Sequence, residues 1–382
     1  MQNFIFQNTT KLIFGKGMIS SLAKTIPQAA RVLLVFGGGS VRKNGVYEQV
    51  TKALSTQETT EFWGIEPNPT VETIRKAIVM GKEYKADFVL AVGGGSVLDA
   101  VKLIACGIPS TEDAWQLVLN GSLIHNPLPF ASVMTLPATG SEMNRGSVIS
   151  NKATTEKFAF YAQYPQFSIL DPETTFSLPQ RQLANGIADT FVHVVEQYLT
   201  TPNQSLLMDR WAEGILQVMV EVAPKVMSEE ERDYDVMSQF MLCATMALNG
   251  FVGMGVSQDW ATHMIGHELT ALKGLDHAQS LVIVLPGVMQ VLREQKAEKI
   301  LQYGARVWGI TQGTESERID KTIDATEQFF RSLGMPTRLS EYGIGEDTID
   351  EVTARFAARK VQFGEAQNVN AALTKTILQQ VL

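Results

Sequence analysis

The sequence predicts a protein of two parts: an α/β dinucleotide-binding domain with a mostly parallel sheet in residues 1–179, and an all-helical domain in residues 180–382. In the first part, short apolar runs alternate with helix-like segments, which is the pattern of a parallel sheet covered by helices on both faces. Beyond Leu178-Pro179, apolar residues recur at helical spacing almost throughout. The length of 382 residues also favours two domains, because single cores stop growing at roughly 250–300 residues.

Turn residues bound the expected strands of the α/β part. Two short strands are predicted at 4–6 and 11–14, around the polar turn Asn8-Thr9-Thr10. The motif Gly-Gly-Gly-Ser-Val then occurs twice, each time after a buried-strand run. The other predicted elements are strands at 31–36, 86–92, 130–136 and 167–172, with helices from about 45 onward and at 97–105.

The second part reads as a succession of helices separated by proline and glycine. They are predicted at 183–199, 206–222, 237–248, 259–272, 281–292, 297–308, 319–333 and 348–359.

Composition excludes several classes of function. The net charge of -8, without a run of Lys and Arg, argues against nucleic acid or an anionic membrane as a partner. The sequence has neither a signal-peptide pattern at its start nor an apolar stretch of ~18 residues, so we expect a cytoplasmic protein. The two cysteines, Cys106 and Cys243, are expected to be small buried hydrophobes, since their number and spacing fit neither a redox pair nor a cysteine zinc site.

Histidines give the sharpest chemical signal. The chain has five, and four of them are His193, His263, His267 and His277. Asp189 precedes His193 by four residues, and His263 and His267 have the same spacing, so each pair projects from one face of a helix. One carboxylate with two or three imidazoles is a natural ligand set for a divalent transition metal. Spacing alone would pair His263 with His267.

A zinc peptidase is the obvious alternative for a metal-binding His-x-x-x-His. That chemistry needs glutamate directly after the first histidine as general base. Met264 occupies this place, and Glu268 follows the second histidine instead. The sequence therefore argues against a peptidase.

The two glycine loops predict a dinucleotide site. After a strand and before a helix, bare backbone N–H groups can meet a phosphate. Neither loop is a complete Gly-x-Gly-x-x-Gly, because Arg42 and Leu98 occupy the last glycine position. Each glycine loop by itself is weak evidence for a nucleotide site. Two such loops on one α/β domain, together with a third turn at 139–141, favour a bound dinucleotide.

The first loop favours NADP over NAD. NAD enzymes usually place an acidic residue on the ribose 2′-hydroxyl, and no acid occurs from 37 to 44. Ser40, Arg42 and Lys43 are present instead, and a hydroxyl with two cations suits a 2′-phosphate.

Taken together, these motifs resemble the iron-containing (group III) alcohol dehydrogenases along essentially the whole chain, most closely their NADPH-dependent aldehyde reductase and butanol dehydrogenase branch. The motifs that carry the resemblance are FGKG at 14–17, EPNP at 66–69, GGGSVLD at 93–99, TLPATGSE at 135–142, DP at 171–172, Asp189 with His193, ATHMIGHE at 261–268 and GLDHA at 274–278. The fold implied is the dehydroquinate synthase-like architecture of that family.

The resemblance implies Asp189, His193, His263 and His277 as metal ligands and places His267 beside the substrate as a proton relay. The implied metal is divalent, iron or zinc, since the ligand types do not choose between them. The cofactor-binding residues that it implies are Gly38, Gly39, Ser40 and Lys43 at the adenosine end, Gly94, Gly95 and Ser96 at the pyrophosphate, Thr135, Thr139 and Ser141 along the nicotinamide, Lys157 near a ribose, and Asp99 and Asn68 close by.

The implied reaction is hydride transfer between NADP(H) and a short-chain aldehyde or alcohol, with small neutral substrates favoured because no arginine cluster accompanies the metal motifs. Three alternatives stay open: a polyol dehydrogenase of the same superfamily, a dehydroquinate synthase-like lyase, and a non-catalytic NADP-binding sensor. The family also implies a homodimer, in which the N-terminal strands pair across a two-fold axis. Those strands could equally cap the edge of their own sheet.

Overall fold

The computed structural model describes residues 1–228, 230 and 232–382. The chain divides into two compact units. One is built from Gln7–Pro179 with Glu231–Thr245, and the other from Met1–Phe6, Gln180–Glu230 and Met246–Leu382.

The first unit contains a six-stranded, entirely parallel sheet with the strand order β1-β8-β5-β4-β2-β3. A separate antiparallel hairpin is formed by β6 and β7. The strands are β1 Lys11–Phe14, β2 Arg31–Phe36, β3 Glu58–Phe62, β4 Phe88–Gly94, β5 Phe130–Leu136, β6 Gly146–Asn151, β7 Glu156–Tyr161 and β8 Phe167–Leu170. The helices are α1 Leu22–Thr25, α2 Val46–Ala53, α3 Val71–Tyr84, α4 Gly95–Gly107 and α5 Ala114–Leu119.

Helices cover both faces of the sheet, as the continuous apolar strands predict. Along β2, Leu33 and Val35 pack into one core with α3 and α4. Val32 and Leu34 point into a second core on the opposite face. Two glycine loops follow neighbouring strands, β2 and β4, so both lie at the carboxyl edge of the sheet.

The helical unit is formed by α6 Gln180–Tyr198, α7 Leu206–Val226, α9 Ala261–Lys273, α10 His277–Val291, α11 Ala297–Val307, α12 Glu315–Ser332, α13 Glu346–Arg359 and α14 Ala371–Gln380. α8, Tyr234–Ala247, belongs mainly to the α/β unit. One core cluster of the helical unit is formed mainly by α9, α10, α13 and α14. α9 ends at Gly274 in the left-handed conformation, and α10 begins three residues later behind a capping box of Asp276 and Gln279.

Most predicted elements are confirmed, including the strands at 11–14, 31–36 and 130–136. The prediction of a strand at 4–6 is wrong, because these residues form no strand. The N-terminal segment instead lies against the loop near Gly255, whose carbonyl accepts the N–H of Gln2 at 2.8 Å. β3, α3 and the β6–β7 hairpin were not predicted. Both cysteines are free and buried as expected, and burial raises the pKa of each thiol to about 12. No helix of the described residues is long and apolar enough to cross a membrane.

Candidate metal centre and nucleotide-binding loops

Three helices of the helical unit bring four potential metal ligands together. α6 carries Asp189 and His193 one turn apart, α9 carries His263, and His277 is the first residue of α10. One donor atom from each residue can be chosen so that all four lie within 4.8 Å of one another. Asp189 is central, since its Oδ1 lies 3.6 Å from His193 Nδ1 and 3.7 Å from His277 Nε2.

These spacings fit a tetrahedral metal site. Bonds of ~2.0–2.1 Å place two ligand atoms of a tetrahedral ion roughly 3.4 Å apart, which is close to the two distances from Asp189. Three of the four residues are buried, and the His277 side chain retains 23% exposure. One carboxylate and three imidazoles suit Fe²⁺ or Zn²⁺, so the donor set and its spacing both fit the implied metal.

His267 lies beside this cluster and is not one of the four. Its ring centroid is 5.2 Å from that of His277 and 6.2 Å from that of His263. The structure therefore groups His263 with His277 rather than with His267, which was its partner by spacing alone. His267 is buried, next to the imidazoles of His263 and His277.

Glu196 is a residue of this site that sequence reasoning missed. It occupies the same face of α6 as Asp189 and His193, seven and three residues further along. Its carboxylate accepts the backbone N–H of Thr262 at 2.6 Å and that of His263 at 3.2 Å, and it closely contacts His263 Nδ1. A carboxylate on one ring nitrogen fixes the tautomer and leaves the other nitrogen for a metal.

The electrostatics of Glu196 follow from its burial. Burial first, and Asp259 second, raise the pKa of Glu196 well above its ordinary value, while the N–H groups of Thr262 and His263 lower it. A sequence signal existed in the spacing Asp189, His193, Glu196, which is the i, i+4, i+7 pattern of one helix face.

Trp260 begins α9 in an unusual backbone conformation. Its φ of 63° is left-handed, which is rare for a bulky residue and concentrates at functional sites. The ring centroid lies 5.2 Å from that of His263 and 6.2 Å from that of His193, so the indole packs against two potential ligands. Asp259, bound to the buried Lys296 at 2.8 Å, accepts the N–H of Ala261 and fixes this turn.

In the α/β unit, the second glycine loop is tighter than predicted. β4 runs through Gly94 and α4 begins at Gly95, so the N-terminus of the helix follows the strand directly. A Cβ on Gly95 would lie 2.5 Å from Thr139 Oγ1, and one on Gly94 would lie 2.9 Å from Leu136 Cβ. These glycines let the helix start against the loop after β5, and no side chain caps the first turn. The uncapped N–H groups fit a phosphate.

The first glycine loop has a different character. A Cβ on Gly38 or Gly39 would meet no atom within 4 Å, so packing within the protein does not require either glycine. Gly39 has a φ of +99°, a conformation that side chains rarely adopt. An open cradle with this backbone fits the adenosine end of a dinucleotide.

Asp99 and Ser141 lie together beside the second loop. The Ser141 hydroxyl donates to Asp99 Oδ1 at 2.7 Å. Lys102, which was not predicted, is fully buried and donates to Ser141 Oγ at 2.7 Å and to the carbonyl of Gly146 at 2.6 Å. Burial raises the pKa of Asp99 and lowers that of Lys102 to about 8. Lys102 thus fixes the loop that carries Ser141 and Thr139.

The remaining predicted cofactor residues fall into separate places. Lys157 of β7 donates to Asn68 Oδ1 at 2.9 Å. Thr135 is the penultimate residue of β5, and Ser96 lies in the first turn of α4. Ser40 and Lys43 belong to the first loop, after β2.

Comparisons with known proteins agree with this architecture. The family model of the iron-containing alcohol dehydrogenase matches residues 9–172, and the model of the C-terminal part of the Fe-containing alcohol dehydrogenase family matches 183–382. The chain is 49% identical to the NADPH-dependent aldehyde reductase YqhD of Escherichia coli (strain K12), over 99% of both chains. It is 39% identical to the probable NADH-dependent butanol dehydrogenase 1 of Bacillus subtilis (strain 168), over 100% of both.

Solved structures give the same result. The crystal structure of E. coli K-12 YqhD matches with a TM-score of 0.97 and 48% identity, over 100% of this chain and 99% of that one. The NADH-dependent butanol dehydrogenase A of Thermotoga maritima matches with a TM-score of 0.95 and 32% identity, over 100% and 99%.

Proposed function

Because this chain belongs to the iron-containing alcohol dehydrogenase family, we propose that it is a metal-dependent reductase that transfers hydride from NADPH to short-chain aldehydes. The observation that carries the proposal is the convergence of Asp189, His193, His263 and His277 within 4.8 Å. In this proposal residues 1–179 bind NADP(H), and residues 180–382 hold the metal and the substrate.

The preference for NADP(H) rests on the first glycine loop. Ser40 and Lys43 supply a hydroxyl and a cation for the 2′-phosphate. Gly39 has no side chain, so no carboxylate at this position repels the phosphate. The relatives do not decide the question, because the E. coli enzyme is described as NADPH-dependent and those of B. subtilis as NADH-dependent.

The mechanism divides between the cofactors and the chain. When bound to Asp189, His193, His263 and His277, the metal supplies Lewis-acid polarisation of a carbonyl, and NADPH supplies the hydride. Glu196 orients the His263 ring through its contact with Nδ1. Three of the four proposed ligands are buried, so water is excluded from them, and electrostatic interactions at the metal site are strengthened as a result.

His267 is proposed to supply the proton that reduction of an aldehyde requires. It is next to the proposed ligands without being one of them, and imidazole can give up a proton near neutral pH.

Small neutral aldehydes are the proposed substrates. The indole of Trp260 lies against His193 and His263 and offers an apolar surface. Arg355 and Arg359, which lie one turn apart on α13, both pair with Glu268. Each guanidinium therefore has a carboxylate partner within the protein, so an anionic substrate is not needed to explain either of them.

We further propose that the enzyme works in the cytoplasm as a homodimer. An exposed apolar surface of the helical unit supports the dimer. It includes Phe4 and Ile5, exposed by 49% and 98%, and a ring cluster in which Phe251 lies 4.8 Å from Phe6 and 5.6 Å from Trp211. Such patches commonly mark protein interfaces. Sedimentation equilibrium that gives a monomer at micromolar concentration would contradict this part.

The central test is an assay of the purified protein loaded with Fe²⁺ or Zn²⁺. Butanal is mixed with NADPH or NADH, and the loss of reduced-nicotinamide absorbance is followed before and after chelation. We expect rapid turnover with NADPH that chelation abolishes and added metal restores. Glycerol oxidation serves as the comparison for a polyol dehydrogenase. Cofactor binding without turnover of any short aldehyde by the metal-loaded protein would overturn the proposal.

A further inference from the structure

Three side chains form a layered stack beside the first glycine loop. Phe36 ends β2, and Trp63 directly follows β3. Their rings are parallel within 11°, with centroids 4.1 Å apart. The guanidinium carbon of Arg42 lies 4.0 Å from the centroid of Trp63. Because Phe36 covers one face of the indole, Arg42 occupies the other.

Glu61 holds this stack together. Its two carboxylate oxygens accept the Trp63 indole N–H and the Tyr47 hydroxyl, both at 2.8 Å. The same carboxylate lies 3.8 Å from Arg42 Nη2. The guanidinium is thereby oriented from two sides, and its charge already has a counter-ion. Even so, 56% of the Arg42 side chain is exposed.

The sequence suggested the same role for both cations of this loop, whereas the structure separates them. Arg42 is held against Trp63 and Glu61. The next residue, Lys43, is exposed and forms no ion pair among the described residues. A free ammonium suits a phosphate as a point charge, while a guanidinium fixed by stacking suits a flat partner.

The geometry points to Arg42 as the residue on which the adenine of the cofactor stacks, with Lys43 left to bind the 2′-phosphate. This inference rests on the proposed NADP(H) site, since Arg42 lies two residues after Ser40 at the carboxyl edge of the sheet. Trp63 and Glu61 orient the guanidinium before the nucleotide arrives, so little side-chain freedom is lost on binding. Arg42 thus contributes to binding of both NADPH and NADH, and Lys43 sets the preference between them.

The experiment compares Arg42→Ala, Arg42→Lys and Lys43→Ala with the wild type by titration calorimetry against NADPH and NADH. Stacking of a base is worth ~1–3 kcal/mol, so we expect Arg42→Ala to weaken the binding of both cofactors by a similar factor of roughly 5 to 150. Arg42→Lys keeps the charge and loses the planar group, so it should behave like Arg42→Ala. Lys43→Ala should weaken NADPH alone.

Thermal unfolding of each variant provides the control for folding, and a half-exposed arginine should change it little. A loss for Arg42→Ala that is confined to NADPH, or affinity restored by Arg42→Lys, would show a phosphate contact and overturn the inference. Unchanged affinity for both cofactors would also overturn it. If the wild type binds neither nucleotide, the proposed NADP(H) function fails and the inference fails with it.

Discussion

Replacing Glu196 by glutamine tests whether this second carboxylate of α6 sets the metal affinity of the site. Its Oε1 accepts the N–H of Thr262, and its Oε2 serves both the N–H and the ring Nδ1 of His263. Glutamine has nearly the same volume but only one oxygen. Either a buried backbone N–H or the imidazole N–H must then face an NH₂ group, which cannot accept.

Two independent estimates give the size of the effect. Leaving one buried donor without an acceptor costs about 1–3 kcal/mol. Removing the outer partner of a ligating histidine typically lowers metal affinity about 10- to 100-fold, which corresponds to roughly 1.4–2.8 kcal/mol. The ranges overlap because both describe the same event, the loss of the acceptor that fixes the His263 ring. We therefore expect the Kd for Zn²⁺ or Co²⁺ to rise 10- to 100-fold.

Competition with a chromophoric chelator measures this Kd, and the absorption spectrum of the Co²⁺ form reports the ligand geometry. Glu213→Gln is the matched control. Glu213 is as buried as Glu196, at 2% against 3%, but binds Tyr198 and Arg306 rather than a proposed ligand. It should lower stability without changing the Co²⁺ spectrum. Wild-type metal affinity in a folded Glu196→Gln protein would refute the reasoning, as would an equal loss in both variants.

Three further predictions follow from the structure. Asp189→Asn removes the only carboxylate of the four proposed ligands, so it should abolish metal retention and butanal reduction. Fluorescence titration should still detect NADPH binding. Full metal occupancy of the variant would contradict the assignment of Asp189 as a ligand. Gly95→Ala places a Cβ 2.5 Å from Thr139 Oγ1, so it should lower the free energy of unfolding measured in urea by ~1–3 kcal/mol. In Gly38→Ala the added Cβ meets no atom within 4 Å, so the same measurement should show no such loss. Equal stability of the two variants would refute the packing argument. Burial lowers the pKa of Lys102 from 10.5 to about 8. Between these values the unfolded chain carries a proton that the folded protein has lost, so wild-type stability should rise with pH relative to Lys102→Met; a difference independent of pH would contradict the burial argument.

The sequence alone was sufficient for the architecture because the signals for it are local. A run such as residues 32–36 is apolar at every position, which is typical of a strand buried on both faces. The helical spacing after Leu178-Pro179 is equally visible without a structure. The family motifs then named the four proposed ligands. β3 was not predicted because its sequence ETTEF, at Glu58–Phe62, is polar at four of five positions. The β6–β7 hairpin was not predicted because the short turn that joins its two strands contains neither proline nor glycine.

What depends on contacts distant in sequence was decided only by the tertiary structure. Helical spacing makes His267 a neighbour of His263, but the turn at Gly274 brings the start of α10 back, so that His277 joins the cluster instead. Glu196 and Lys102 look like ordinary charged residues in the sequence. Their roles come from burial among donors and acceptors that lie tens of residues away. Periodicity predicts which face of a helix is apolar, whereas the pairing of buried polar groups depends on which helices and loops pack together, and that is a property of the whole fold.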